Sequence, residues 1–200
     1  LCLCNIDEFS IKDIKQYYYE LSSISDYIFK LWSLNRYINI NIITGILFKE
    51  KFSSCGAGNT TFVLAPNEAI YPCYAMYYQN KEKIGDLNSE IILDSSKYLI
   101  EESPICKNCD CYACSSCIVF NKSMTEEYLA PSEVQCMLSK LEKRISFKFL
   151  NKVRDHLELP FEINDSILND KLVDPLLNIK RKYSFLRRGL SEKLEEELGE

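Results

Sequence analysis

Cys106-Lys107-Asn108-Cys109-Asp110-Cys111-Tyr112-Ala113-Cys114-Ser115-Ser116-Cys117 is the stretch on which the reading of this chain turns. Five thiols lie within twelve residues, and Cys55, Cys73 and Cys136 stand outside the block. Thiolate is the soft ligand preferred by zinc and by iron–sulfur clusters. A Cys-x2-Cys turn brings two sulfurs to one metal centre, and the distant cysteines tie other segments to it. Eight thiols are also what two four-cysteine clusters require.

The surrounding composition narrows the choice. Two hundred residues with 46% hydrophobic content suffice for one domain and part of another. Ten cysteines exceed ordinary usage and leave disulfides, zinc or iron–sulfur as explanations. The opening apolar residues 1–6 have neither a basic region before them nor a small-residue cleavage site after them, so export and its oxidising compartment are not expected. Cysteines two or three positions apart are also badly placed to bridge one another. No apolar run approaches the roughly 20 residues of a membrane span. These features predict a cytoplasmic protein with no membrane partner. The net charge of −5 argues against a nucleic-acid partner, which calls for a basic footprint. The chain opens on Leu1-Cys2-Leu3-Cys4-Asn5 without a methionine and reads like the middle of a longer protein.

Moving outward from the block, residues 1–6 read as a strand, with Cys2 and Cys4 as core residues. Ser10 and Asp13 form a capping-box pattern that starts a helix through Ile11, Ile14, Tyr18 and Leu21. A second helix is expected from Ile24 to Leu34. Ile38-Asn39-Ile40-Asn41-Ile42 alternates as a strand would. Cys55-Gly56-Ala57-Gly58 offers backbone free to approach something closely, such as a cluster. Thr61–Ala65 and Ala69–Cys73 read as a hairpin turned by Pro66-Asn67-Glu68, and Ile84–Leu87 as a turn and strand. Residues 88–102 are expected to be mostly helical, and a loop is expected from Cys117 to Pro131.

Ser132 and Gln135 repeat the capping-box pattern ahead of the stripe Val134, Met137, Leu138, Leu141 and Ile145. Cys136 then lies in the first turns of a helix, where the dipole favours an anionic group. Phe149, Val153 and Leu157 suggest a further helix stopped by Pro160. His156, the single histidine, fits a surface or capping role beside Asp155. Lys180-Arg181-Lys182 with Arg187-Arg188 reads as a solvated helix face, and Leu190, Leu194 and Leu198 as an amphipathic helix. Tyr71 and Tyr74 flank Cys73 and suit packing over its surroundings.

Zinc is the serious rival for the block. A zinc ribbon separates its Cys-x2-Cys turns by about 15–20 residues. Here Cys106/Cys109 and Cys114/Cys117 are four residues apart, and one compact zinc site leaves four or more thiols over. Cys111, Cys114 and Cys117 resemble the Cys-x2-Cys-x2-Cys run of bacterial ferredoxins without its Cys-Pro.

The whole layout resembles the SPASM domain, the auxiliary-cluster domain at the C-terminal side of radical SAM enzymes that mature peptides and sulfatases. That family's pattern is Cys-x9–15-Gly-x4-Cys, a gap, Cys-x2-Cys-x5-Cys-x3-Cys, a gap, then Cys. Cys55 and Cys73 match the first pair, Cys106 and Cys109 the next, Cys114 and Cys117 the following pair, and Cys136 the last. Glu68 stands at the family's glycine, the block spacings are x4 and x2, and Cys111 is extra.

The resemblance implies an α+β architecture in three parts. Residues 1–48 would be the end of a radical SAM partial α/β barrel. Residues 49–146 would be a SPASM domain, a β-hairpin plus helices around two 4Fe–4S clusters, and residues 147–200 a helical extension. Cys106, Cys109, Cys114 and Cys136 would hold one cluster; Cys55, Cys73 and Cys117 the other, with Cys111 available for its remaining position.

The implied function is the auxiliary iron–sulfur portion of a radical SAM peptide maturase, with thioether cross-linking of a ribosomal peptide as the typical reaction. The partners implied are a cysteine-containing precursor peptide and an electron donor such as a flavodoxin or ferredoxin. A sulfatase segment would replace the peptide in the close variant, an anaerobic sulfatase-maturating enzyme. Cys-x3-Cys-x2-Cys, the motif that binds S-adenosylmethionine and its cluster, does not occur in the chain, so that cofactor would enter only through a missing N-terminal part. A zinc-stapled interaction module and a simple electron-transfer iron–sulfur protein are the readings from other classes.

Overall fold

Ser10 begins the first helix as the sequence predicts. Its hydroxyl accepts from the Asp13 N–H, and its own N–H donates to the Asp13 carboxylate at 2.8 Å. These bonds lower the Asp13 pKa, the Ser10 side chain contributing most. The computed structural model describes residues 9–48, 55–77, 79–107, 109, 114 and 116–162. The expected strand at 1–6, the basic spot and the amphipathic end therefore lie outside the described residues, as does Cys111. Among the described residues no helix is long and apolar enough to cross a membrane.

Helix α1 runs unbroken over Ile11–Trp32, where the sequence suggests two helices. The serines near the expected break are absorbed by the helix. The Ser22 hydroxyl donates back to the Tyr18 carbonyl at 2.8 Å, and Ser25 is buried. Asn35, in the left-handed region at φ 56°, turns the chain out of the helix.

The expected strand at 38–42 is not formed. Its alternation belongs to a tight turn in which Ile43, Thr44 and Gly45 all donate to the Ile40 carbonyl. The buried Thr44 hydroxyl accepts from the Ile40 N–H at 2.7 Å and closes the turn. A single 3-10 turn, Gly45–Phe48, follows. The Trp32 indole N–H donates to the Ile38 carbonyl, which holds this segment under the end of α1.

Strands β1 (Val63–Leu64), β2 (Ala69–Tyr71) and β3 (Gly85–Asp86) form an antiparallel sheet in the order β1-β2-β3. The hairpin turns through Pro66-Asn67-Glu68. The Glu68 N–H donates to the Ala65 carbonyl, and Asn67 accepts from the Ala69 N–H. Glu68 itself is left-handed at φ 62°. A type I turn followed by one left-handed residue is the usual three-residue hairpin. The position that carries glycine in the resembled pattern thus has the backbone that glycine adopts without strain. We expect Glu68→Gly to raise stability by about 0.5–1 kcal/mol, the left-handed cost relieved less the extra entropy of glycine. Urea melts of the two proteins check this, with Glu68→Ala giving no such gain.

Residues 88–102 are not one helix but irregular chain carrying two short 3-10 turns, Ser95–Tyr98 and Ile100–Glu102. Asp94 caps the first, and its bonds to Ser96 lower its pKa. The loop expected after Cys117 contains helix α2, Ile118–Thr125, ended by Glu126 at φ 63°. Helix α3 covers Glu133–His156 without a break, so the two helices expected from the sequence on either side of residue 147 are one.

The main core lies between α1 and α3. Ile14 packs with Val134, Met137, Leu138 and Leu141. Leu21, Ile28 and Trp32 pack with Ile145, Phe149, Leu150 and Val153. The two helices therefore run in the same direction. Tyr17 donates to Glu142 at 2.6 Å, and Lys152 pairs with Asp26 at 2.8 Å, in the same register. Burial, helped by Glu142, raises the Tyr17 pKa. This alignment leaves the N-terminal end of α3, with Cys136, facing the cysteine-bearing segment.

Candidate metal centre

Ser103 builds the first wall of the centre. Its hydroxyl donates to the Leu129 carbonyl at 2.5 Å and accepts from the N–H groups of Ile105 and Cys106. This ties the start of the cysteine block to the chain just before α3. The Cys109 N–H donates to the Cys106 carbonyl at 3.0 Å, so both cysteines share one tight turn. Cys106 and Cys136 lie in one buried cluster with Ile100, Ile105 and Ala130. The Ser132 hydroxyl caps α3 by accepting from the Gln135 N–H, and Cys136 occupies the helix's opening turns.

Cys114 reaches the same helix. Its Sγ lies 3.2 Å from the Ser139 hydroxyl, one turn beyond Cys136. Residues three apart on a helix share a face, so Cys114 abuts the face that carries Cys136. Burial pushes the Cys106 thiol up to about 12; Cys114 and Cys109 add to the rise, and a hydrogen bond with Ser103 works against it. Cys106, Cys109, Cys114 and Cys136 form one neighbourhood, and Cys106, Cys109 and Cys136 are buried.

Cys55, Cys73 and Cys117 belong to a different place. Cys55 and Cys117 are exposed, and Cys73 is half-buried. Cys73 packs against the cluster of Ala57, Ala65, Ala69, Tyr71, Met76, Tyr98 and Ile118. Ala57 follows Cys55 by two residues, and Ile118 follows Cys117 by one. Of the three cysteines Cys73 packs on this apolar cluster, while Cys55 and Cys117 are each within two residues in sequence of one of its members. Cys73 precedes a 3-10 turn, Tyr74–Met76, and Cys117 is the N-cap of α2, each without a side-chain cap bond. Buried Asn121 secures this end of α2, donating to Ser116 and to the Tyr128 carbonyl at 2.8 Å.

Gly56 and Gly58 both have positive φ, 73° and 74°. A Cβ on Gly58 would lie 2.5 Å from the Tyr98 ring. The close approach expected of these glycines is therefore, at Gly58, to an aromatic face. Tyr98 meets Tyr128 edge-on at 5.0 Å, and Tyr128 donates a hydrogen bond to the buried carboxylate of Glu82. Burial and then Glu82 raise the Tyr128 pKa. Tyr71 is buried in the apolar cluster, whereas Tyr74 is 78% exposed. His156 ends α3 on the far side, its Nδ1 2.9 Å from the Lys152 carbonyl and its ring edge-on to Phe29.

An iron–sulfur centre fits this set by donor chemistry. The thiols share a mostly apolar neighbourhood, where the burial that holds the Cys106 proton on is what a cationic centre would offset. As the side chains stand, no three His, Cys, Asp or Glu among the described residues form a group that would close on a single metal ion. Sequence reasoning missed Ser103 and Ser139, which signal nothing as residue types and matter only through their positions, and it took Gln135 only as part of the cap of α3. Neither a scan against protein-family models nor a search of curated proteins returns a match for this chain.

Proposed function

We propose that this chain is the auxiliary iron–sulfur portion of a radical SAM peptide maturase with a SPASM-type domain. The observation that supports the reading is the division of the cysteines. Cys106, Cys109, Cys114 and Cys136 lie around the start of α3, while Cys73 packs on another apolar cluster whose members Ala57 and Ile118 stand within two residues of Cys55 and Cys117 in the chain. These are the two ligand sets that the resemblance implies, and nothing about local spacing alone would separate Cys114 from Cys117.

Two 4Fe–4S clusters, if bound, would supply one-electron transfer to and from the substrate. The chain's residues would hold them in unlike surroundings. Buried Cys106, Cys109 and Cys136 would keep water from one centre, whereas exposed Cys55 and Cys117 would leave the other reachable from solvent. On this reading Cys111 would be available for the remaining position of the exposed set. The partners proposed are a cysteine-containing precursor peptide, or a sulfatase segment in the variant reaction, and a flavodoxin or ferredoxin as electron donor, in the cytoplasm. S-adenosylmethionine chemistry would require a further part that carries Cys-x3-Cys-x2-Cys.

Single substitutions test the division. Cys136→Ser and Cys73→Ser should each lower the iron bound after anaerobic reconstitution by about half, since each disables one of two four-iron sites. The double variant should bind almost none. Complete loss of iron in both single variants, or no loss in either, would count against two separate centres.

A further inference from the structure

Ser139 is buried on α3, one turn after Cys136, and its hydroxyl stands 3.2 Å from Cys114 Sγ. Either atom of this pair can donate, and the Gln135 side-chain amide donates to the same Ser139 oxygen at 3.3 Å, occupying one of its lone pairs. A hydroxyl carries one proton and two lone pairs. With a lone pair engaged by Gln135, its proton is available for the sulfur. A ligating cysteine is a thiolate and can only accept. We infer that Ser139 is a positioning and tuning residue for the Cys106, Cys109, Cys114 and Cys136 centre, donating a hydrogen bond to the Cys114 thiolate. This inference rests on the iron–sulfur reading of that centre.

The consequence follows from charge. Were a cluster held there and reduced by one electron from an external reductant, the Cys114 thiolate would carry part of the added negative charge. A proton aimed at that sulfur stabilises the reduced form more than the oxidised form, so the reduction potential rises. Burial strengthens the effect, because little water competes for the bond. Gln135 acts at one remove, by holding the Ser139 hydroxyl in its orientation. Gln135, Cys136 and Ser139 stand on adjoining rows of one helix, so a single rigid element carries a ligand and the donor to a second ligand.

The test is a potentiometric titration of the reconstituted full chain with dithionite, followed by electron paramagnetic resonance. Ser139→Ala should move one of the two midpoints to more negative potential and leave the other in place. Ser139→Thr, which keeps the hydroxyl, should stay near the unaltered midpoint. Unaltered midpoints with full iron in Ser139→Ala would overturn the inference. Should that variant lose iron, Gln135→Leu keeps Ser139 in place and releases its orientation; a smaller negative shift is then expected, and no shift would overturn the proposal. Failure of the unaltered chain to bind iron would instead overturn the reading of the centre itself.

Discussion

Phe149→Ala is expected to remove about 3–5 kcal/mol of stability, the usual cost of emptying a buried aromatic site. Phe149 is 2% exposed and lies edge-on to Trp32, with ring centroids 5.0 Å apart. It belongs to the cluster that joins the end of α1 to the end of α3 and to Ile43 and Leu47 of the intervening turn. Truncation leaves a cavity among these side chains and removes the aromatic pair. The loss is a large share of the roughly 5–15 kcal/mol that domains usually have. Trp32 is the single tryptophan, so its fluorescence reports on this contact during a urea melt. Tyr27→Ala, at a position 62% exposed on α1, serves as the comparison and should change stability by no more than about 0.5 kcal/mol. Equal effects of the two substitutions would mean that α1 and α3 do not form the main core.

Gly58→Ala should be the most damaging change near the exposed cysteines. The residue sits at φ 74°, and the added Cβ would meet the Tyr98 ring at 2.5 Å. The left-handed backbone costs about 1–2 kcal/mol for a residue with a side chain. Overpacking adds about 1–3 kcal/mol, because Tyr98 cannot retreat without disturbing Tyr128 and its bond to Glu82. A double-mutant cycle separates the two contributions. In a Tyr98→Leu background the smaller side chain gives the Cβ room, and Gly58→Ala should cost only the backbone share. The same cost in both backgrounds would exclude the Tyr98 contact as a cause.

The parts of the fold that the sequence made legible are those governed by local chemistry or by strict period. The Ser10–Asp13 cap, the buried stripe from Val134 to Ile145 and the Pro66-Asn67-Glu68 hairpin all form where they are expected. The expectations that failed were those in which local patterns had competing solutions. Ile38 to Ile42 alternates like a strand, yet the Thr44 hydroxyl, itself donating to Asn39 Oδ1, accepts from the Ile40 N–H and the backbone closes as a turn. A second helix was expected to start at Ile24, but packing of Leu21 and Ile28 on α3 carries one helix through the serines between them. Helix α2 has a short and weakly patterned sequence, and it is fixed by Asn121 and Thr125 through bonds to Tyr128 and Ala130 further along the chain and ended by left-handed Glu126.

The candidate centre follows the same division. Its thiols are countable in the sequence, and Cys136 is placed correctly at the opening of a helix. Which thiols meet was not legible from spacing, since Cys114 and Cys117 are only three residues apart. Their separation depends on tertiary contacts: Cys114 turns to Ser139 on α3, while Cys117 starts α2 beside the cluster that holds Cys73. The hydroxyls of Ser103 and Ser139 become visible as parts of the centre only once the chain brings them against Cys106 and Cys114.

Anaerobic reconstitution with iron and sulfide, followed by metal and labile-sulfide counts and a visible spectrum, tests the central claim most directly. Two four-thiolate sites predict about eight irons and about eight sulfides per chain, with a broad absorption that bleaches on reduction. A colourless protein that retains stoichiometric zinc and takes up no iron would contradict the account.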